Sequence, residues 1–170
     1  MRIGFHISIA GGFKQVVERA RQRQCETIQL FSRNPRGWKY KPLDQDDVVI
    51  FKQEVRRECI SPVFVHMPYL ANLASSDTPL FVRSVDSLIE DLKRSEILGA
   101  RFLIMHIGSS HDRCKGIKRM AEGINRALSR VKNGVMLLLE NTAGSGNELG
   151  SEFEHIREIF DTVDDEERVG

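Results

Sequence analysis

Five short aliphatic runs recur along this chain, and between them lie longer stretches with helical period. The runs are Ile3–Ser8, Thr27–Ser32, Pro62–His66, Arg101–His106 and Val135–Glu140, each the length of a buried strand. Between them, Phe13, Val16, Val17 and Ala20 follow an i, i+3, i+4, i+7 stripe, and Phe51, Val55 and Cys59 repeat every fourth residue. Phe81, Val85, Leu88 and Leu92, then Ile117, Met120, Ile124 and Leu128, mark two further stripes. A strand–helix unit of roughly 30–40 residues joined by right-handed crossovers is the βα repeat. Near-continuous apolar strands belong to a parallel sheet covered by helices.

Two cap signals fit these boundaries. Thr78-Pro79 offers a capping hydroxyl before a proline suited to a first helical turn, and Ser151 with Glu154 reads as a capping box opening a fifth helix. Five βα units suit either an open doubly wound sheet or part of an eight-fold barrel. Polar groups end strand after strand, at His6, Arg33, His66, His106 and Glu140. A doubly wound sheet would gather its chemistry at one switch point, so the pattern predicts an α/β TIM (β/α)8 barrel. A closed barrel takes about 250 residues. The chain therefore reads as a barrel truncated to about its first five units, with a sixth strand beginning near Val169-Gly170.

No linker or low-complexity segment divides residues 1–170, which predicts a single domain, incomplete at its C-terminal end. The net charge of +1 announces no polyanionic partner, so nucleic-acid binding would need a local patch. Cys25, Cys59 and Cys114 are odd in number and widely spaced, which argues for a reducing compartment. No apolar stretch has the length of a membrane span, and Met1-Arg2-Ile3-Gly4 opens no signal peptide. The expected location is cytoplasmic.

The third, fourth and fifth runs end in His66, His106 and Glu140. If the three strands are parallel neighbours, two imidazoles and a carboxylate converge at one rim, and that is a zinc ligand set. Such a centre would make hydroxide at neutral pH and stabilise charge on a phosphoryl or carbonyl oxygen. After the second run, Arg33, Arg36, Lys39 and Lys41 interleave with Trp38 and Tyr40, which combines phosphate contacts with stacking faces. After the third run, Tyr69 and Leu70 could act as a wedge entering a base stack, or Leu70 and Leu73 could simply cap the barrel core. Gly144–Gly150 reads as a flexible loop near the substrate, His155 as a surface residue, and His6 as a partner supporting the metal ligands from behind.

Several segments together resemble the endonuclease IV family of zinc-dependent apurinic/apyrimidinic endonucleases. They are Gly4-Phe5-His6-Ile7-Ser8 with Ala10-Gly11-Gly12, Phe31-Ser32-Arg33-Asn34-Pro35-Arg36-Gly37-Trp38, His66 through Ala74, His106-Ile107-Gly108-Ser109, and Glu140-Asn141-Thr142-Ala143-Gly144. The likeness covers the N-terminal part of such a protein. It implies a DNA repair enzyme that cuts duplex DNA on the 5′ side of abasic sites by zinc-bound hydroxide attack, leaving 3′-hydroxyl and 5′ deoxyribose phosphate ends. The family holds three zinc ions, and the full-length protein would be monomeric. By position, His66, His106 and Glu140 would hold one Zn2+, with Glu140 bridging to a second and acting as the catalytic carboxylate. Arg36, Tyr69 and Leu70 match family residues that enter the DNA. The family's other zinc ligands lie beyond the segments present here.

Two other readings share these features. Metal-dependent sugar isomerases and epimerases use the same barrel with strand-end His and Glu ligands, and a catalytically inactive fragment needs no complete site. An unclosed barrel would also expose sheet edges at its first and fifth strands and leave its interior layers half filled.

Overall fold

A computed structural model describes the whole chain, Met1 to Gly170. Each run becomes a strand: β1 (Gly4–His6), β2 (Thr27–Phe31), β3 (Val63–His66), β4 (Phe102–His106) and β5 (Met136–Glu140). The helices between and after them are α1 (Phe13–Gln22), α2 (Gln45–Arg57), α3 (Thr78–Leu98), α4 (Arg113–Arg130) and α5 (Phe153–Phe160). A 3-10 turn over Glu166–Arg168 follows. All strands pair in parallel in the order β1-β2-β3-β4-β5. Sequential order without a reversal is the barrel's topology and leaves no switch point.

Side chains alternate between the two faces of the sheet. Ile28, Leu30, Val63, Val65, Leu103, Met105 and Leu137 point to the helical layer and are buried. There they meet the predicted stripes, since Phe13, Val16, Val17, Ala20, Phe81, Leu88, Leu92, Met120 and Ile124 are buried in the same core. The opposite, concave face carries Gln29, Phe31, Phe64, Phe102, Ile104, Met136 and Leu138, all only half-buried. Phe64 and Phe102 stack there with ring centroids 5.1 Å apart.

Several boundaries differ from the sequence reading for local reasons. β1 is shorter than Ile3–Ser8 because the chain turns at once: the Ala10 N–H donates to Ser8 Oγ, and Gly11 and Gly12 take left-handed backbone. Gly12 caps α1 at φ 99°, and a β-carbon there would lie 2.9 Å from the Asp47 carboxylate. That carboxylate, on α2, accepts from the Phe13 and Lys14 N–H groups at 2.6 and 3.0 Å. The cap of α3 is Asp77, which accepts from the Leu80 N–H at 2.7 Å, and Thr78 is already helical. Ser151 does not cap α5; that helix starts at Phe153 after Glu152 and has no side-chain cap. Cys59 leaves the α2 stripe, exposed and at φ 54° just past the helix.

The outer edge of β5 is partly engaged. Val169 bridges Leu137 in parallel, the Gly170 N–H donates to the Leu137 carbonyl, and the Leu139 N–H donates to the Gly170 carbonyl, both at 2.8 Å. β5 is thus paired on its outer side at Leu137 and Leu139, whereas β1 has β2 as its one neighbour. Arg168 anchors this turn by donating to the Val131 carbonyl and Asn133 Oδ1 at 2.7 and 2.8 Å.

Half-covered aromatic and aliphatic side chains on one face of a sheet with an open edge favour association. The isolated 170-residue chain is expected to bind an apolar fluorescent dye and to associate in solution. A monodisperse monomer with a sharp, reversible thermal transition and no dye binding would contradict this.

Candidate metal centre and its surrounding loops

Strand register brings the three predicted ligands to one place. His66 lies opposite Ile104, two residues before His106, and His106 lies opposite Glu140. Period two therefore puts all three on the concave face at the C-terminal rim. Glu140 Oε2 sits 2.8 Å from His66 Nε2 and 3.7 Å from His106 Nε2, and the three ligand atoms all lie within 4.8 Å of one another. The His66 side chain is 9% exposed, whereas those of His106 and Glu140 are 45% and 42% exposed. One face of the triad is thus open to an incoming group.

The hydrogen bonds decide what the triad can hold. His66 Nδ1 lies 2.7 Å from the Met67 carbonyl, which can only accept. Nδ1 therefore carries a proton, and the neutral form of the ring would present the Nε2 lone pair to Glu140. A lone pair and a carboxylate oxygen at 2.8 Å repel unless a cation lies between them, either a proton or a metal ion. Tetrahedral zinc with nitrogen and oxygen ligands sets those ligands about 3.3 Å apart, and 2.8 and 3.7 Å bracket that value. The residues present fit a bound metal ion.

Around this centre the other candidates separate. The His6 ring lies against Phe31 with centroids 4.5 Å apart, and its Nδ1 is 2.9 Å from Gln29 Nε2. Phe31 in turn meets His66 edge-on at 5.8 Å. His6 therefore borders the centre without joining its ligand cluster. Tyr69 is 57% exposed and stands edge-on to Phe31 at 6.4 Å, while Leu70 is half-buried. Leu73 is buried toward α4, against Gly123, rather than over the concave face. Arg36 is exposed and Trp38 half-buried.

Four sequence expectations need correction. Arg33 does not face the rim; it is 4% exposed and ion-paired at 3.0 Å with Asp91 of α3. His155 is not on the surface; it is 6% exposed, and its Nδ1 accepts from the Gly150 N–H at 3.0 Å. Third, the Gly144–Gly150 loop is tied rather than loose. The Ser110 N–H donates to the Asn147 carbonyl at 2.9 Å, and the Leu149 N–H to the Gly108 carbonyl at 2.8 Å. Fourth, Leu73 does not cap the barrel core, for the reason above.

Asn72 is the residue the sequence reading left unweighted. Its Nδ2 donates to the Ser109 carbonyl at 2.9 Å, and its Oδ1 accepts from the Ala74 and Ser109 N–H groups at 3.0 and 3.2 Å. It joins the loops after β3 and β4, the strands that end in His66 and His106. Gly108 permits this: it sits at φ 100°, where a β-carbon would lie 2.3 Å from Asn72 Oδ1. A cleft of about 200 Å³ opens beside His106, lined in part by Tyr69, Asn72, Ser109, Thr142 and Glu148.

The sequence profile of the xylose isomerase-like TIM barrel family matches residues 17–170. The chain belongs to this family. Within it, the chain is 41% identical to the probable endonuclease 4 of Halothermothrix orenii and 44% identical to that of Methanosphaerula palustris. Both matches cover all of this chain but 62% and 61% of those relatives, so the chain spans about three-fifths of their length. The crystal structure of endonuclease IV from Thermus thermophilus superposes with a TM-score of 0.86 at 32% identity, over 96% of this chain and 60% of that one. A D-psicose 3-epimerase from Clostridium cellulolyticum superposes at TM-score 0.74 but 15% identity, over 98% of this chain and 62% of that one, a likeness of fold alone. No helix of this TIM-barrel chain is long and apolar enough to cross a membrane.

Burial and the nearby His66 imidazole both lower the His6 pKa from its ordinary 6.5. A lowered histidine pKa means the folded state prefers the neutral ring. Its contribution to stability is therefore full above 6.5 and is lost as pH falls through the folded value. In metal-free protein, a nuclear magnetic resonance titration is expected to place the His6 midpoint below 6.5. His66→Gln should raise it only part of the way, since burial is the larger cause. A His6 midpoint at or above 6.5 would refute this.

Proposed function

We propose that residues 1–170 are the N-terminal part of the single TIM-barrel domain of a DNA repair endonuclease that hydrolyses duplex DNA on the 5′ side of abasic sites. The observation that carries this reading is identity of 41–44% to endonuclease 4 relatives along the whole chain, with His66, His106 and Glu140 gathered on the concave rim. Water adds across the phosphorus–O3′ bond. The 3′ oxygen leaves as a hydroxyl, and the phosphate stays on the 5′ side of the deoxyribose.

In this mechanism His66, fixed by the Met67 carbonyl, His106 and Glu140 would hold one zinc ion, with Glu140 as the catalytic carboxylate. Zinc supplies Lewis acidity there, easing proton loss from water and stabilising charge on the phosphoryl oxygens. The family's third zinc needs ligands beyond those named here. His6 packs against Phe31, which meets His66 edge-on, and so supports the centre from that side. Arg36, exposed on the loop after β2, would enter the DNA together with Tyr69 and Leu70. Tyr69 and Leu70 stand at the rim as a wedge, and an abasic nucleotide without a stacked base costs little to displace. Repair of chromosomal DNA suits a cytoplasmic protein acting as a monomer.

Protein purified from the source cell is expected to nick a duplex carrying one abasic site on its 5′ side without added magnesium. Prolonged treatment with a strong zinc chelator should abolish the nicking. His66→Gln should lower the rate by more than about 100-fold, since even losing a partner of a metal ligand costs about 10–100-fold in metal affinity. Strict dependence on magnesium would sink the reading. Turnover of a free ketose without DNA binding would instead favour an epimerase of the same barrel.

A further inference from the structure

A charged side chain lies inside the apolar stripe of α3. Asp91 stands between Leu88 and Leu92 and is 0% exposed. Its Oδ1 accepts from Ser32 Oγ at 2.6 Å and Arg33 Nε at 3.2 Å, and its Oδ2 accepts from Arg33 Nη2 at 3.0 Å. A second buried guanidinium, Arg94 one turn on, donates to the Ser32 carbonyl at 2.7 Å and to Ser32 Oγ at 3.2 Å.

Both arginines reach into the basic loop after β2. Arg33 Nη1 donates to the Gly37 carbonyl at 3.3 Å, and Arg94 Nη1 donates to the Lys41 carbonyl at 3.1 Å. The Tyr40 ring lies 5.3 Å from the Arg33 guanidinium and 5.7 Å from that of Arg94. Burial and the Glu90 carboxylate raise the Tyr40 pKa, so the phenol stays neutral between them. On its other side the loop is not packed. It stands over a cavity of about 590 Å³ lined by residues such as Ile9, Phe13, Lys39 and Lys41. The two guanidiniums brace residues 34–41 from this side: Asp91 is the fully buried countercharge of Arg33, while Arg94 pairs with Glu90 at 3.6 Å and meets Asp91 only through Ser32. Arg36 is left exposed at the outer side, on a turn closed by its own N–H to Asn34 Oδ1 at 3.0 Å.

We propose that Asp91 is a positioning residue: through Arg33, and through Ser32 to Arg94, it holds the 33–41 loop in the shape that presents Arg36 to DNA. This rests on the nuclease reading above. A buried ion pair adds little net stability over well-packed apolar residues, but removing one partner strands the other charge. Here the Arg33 guanidinium would be stranded, since Arg94 keeps Glu90, and Arg33 also holds the Gly37 carbonyl of the loop. The consequence falls on binding, since Arg36 lies on this loop and not among the metal-centre residues.

Asp91→Asn keeps the shape of the side chain and removes its charge. In protein purified from the source cell, hydrogen exchange followed by mass spectrometry should speed up over residues 34–41 and stay unchanged over β3, β4 and β5. The Kd for an abasic duplex should rise about tenfold, the size of one lost charged contact, with zinc content and kcat at saturating DNA unchanged. Tyr40→Ala, which leaves the buried pair intact, should move both readouts the same way by less, and it carries the test if Asp91→Asn does not fold. Unchanged exchange over 34–41, or a fall in kcat with Kd unaltered, would overturn the proposal. Faster loop exchange in a protein whose wild type binds no abasic duplex would overturn the nuclease reading and the presenting role, but not the hold on the loop.

Discussion

A parallel sheet built from consecutive βα units delivers the last residue of every strand to the same rim, and everything at this site depends on that. Because side chains alternate with period two, the register also decides which last residues face inward. His66 opposite Ile104, and His106 opposite Glu140, are the two pairings that matter. A shift of one residue in either would turn a ligand into the helical layer. The apolar residues on the other face resist such a shift, since Val65, Leu103 and Leu137 would then leave the core. Packing of the hydrophobic layer is thus what holds the metal centre in register.

Above the sheet, the loops are organised by polar side chains that each satisfy several backbone groups. Asn72 joins the loops after β3 and β4, and the Leu149 N–H on the Gly108 carbonyl joins the loops after β4 and β5. Asp91 acts one loop earlier through Arg33, with Ser32 between it and Arg94. The rim is therefore a chain of linked loops, and the group nearest the open face, Tyr69, is among its freest. Rigid support beneath an exposed reactive edge is the arrangement a positioned metal needs.

The sequence carried the fold because its signals were periodic and local. The stripe Phe81, Val85, Leu88, Leu92 could bury itself only one way, and the strand ends followed from where each aliphatic run stopped. Helix starts are less legible. Thr78-Pro79 looks like a cap, but the aspartate before it is closer to the geometry a cap requires, with its carboxylate free to reach the Leu80 N–H. His155 looks exposed in sequence because a histidine within a helical pattern carries no sign of its partner. That partner, the Gly150 N–H, belongs to a loop whose path is set by other contacts.

Arg33 shows where local signals end. Beside three other basic residues it reads as part of a phosphate-binding patch, yet it turns into the protein to meet Asp91, 58 residues away. A carboxylate inside the α3 stripe was the available clue, because a buried charge requires a partner, but the stripe could not say which cation it takes. The sequence by itself determined the strand–helix alternation, the inward face of each strand and the ligand types at three strand ends, since these depend on residue spacing alone. Only the tertiary structure decided that Glu140 Oε2 lies 2.8 Å from His66 Nε2, that Asn72 ties two loops, and that Asp91 commands a third. Those contacts join residues far apart in the chain, and their distances are set by how the layers pack.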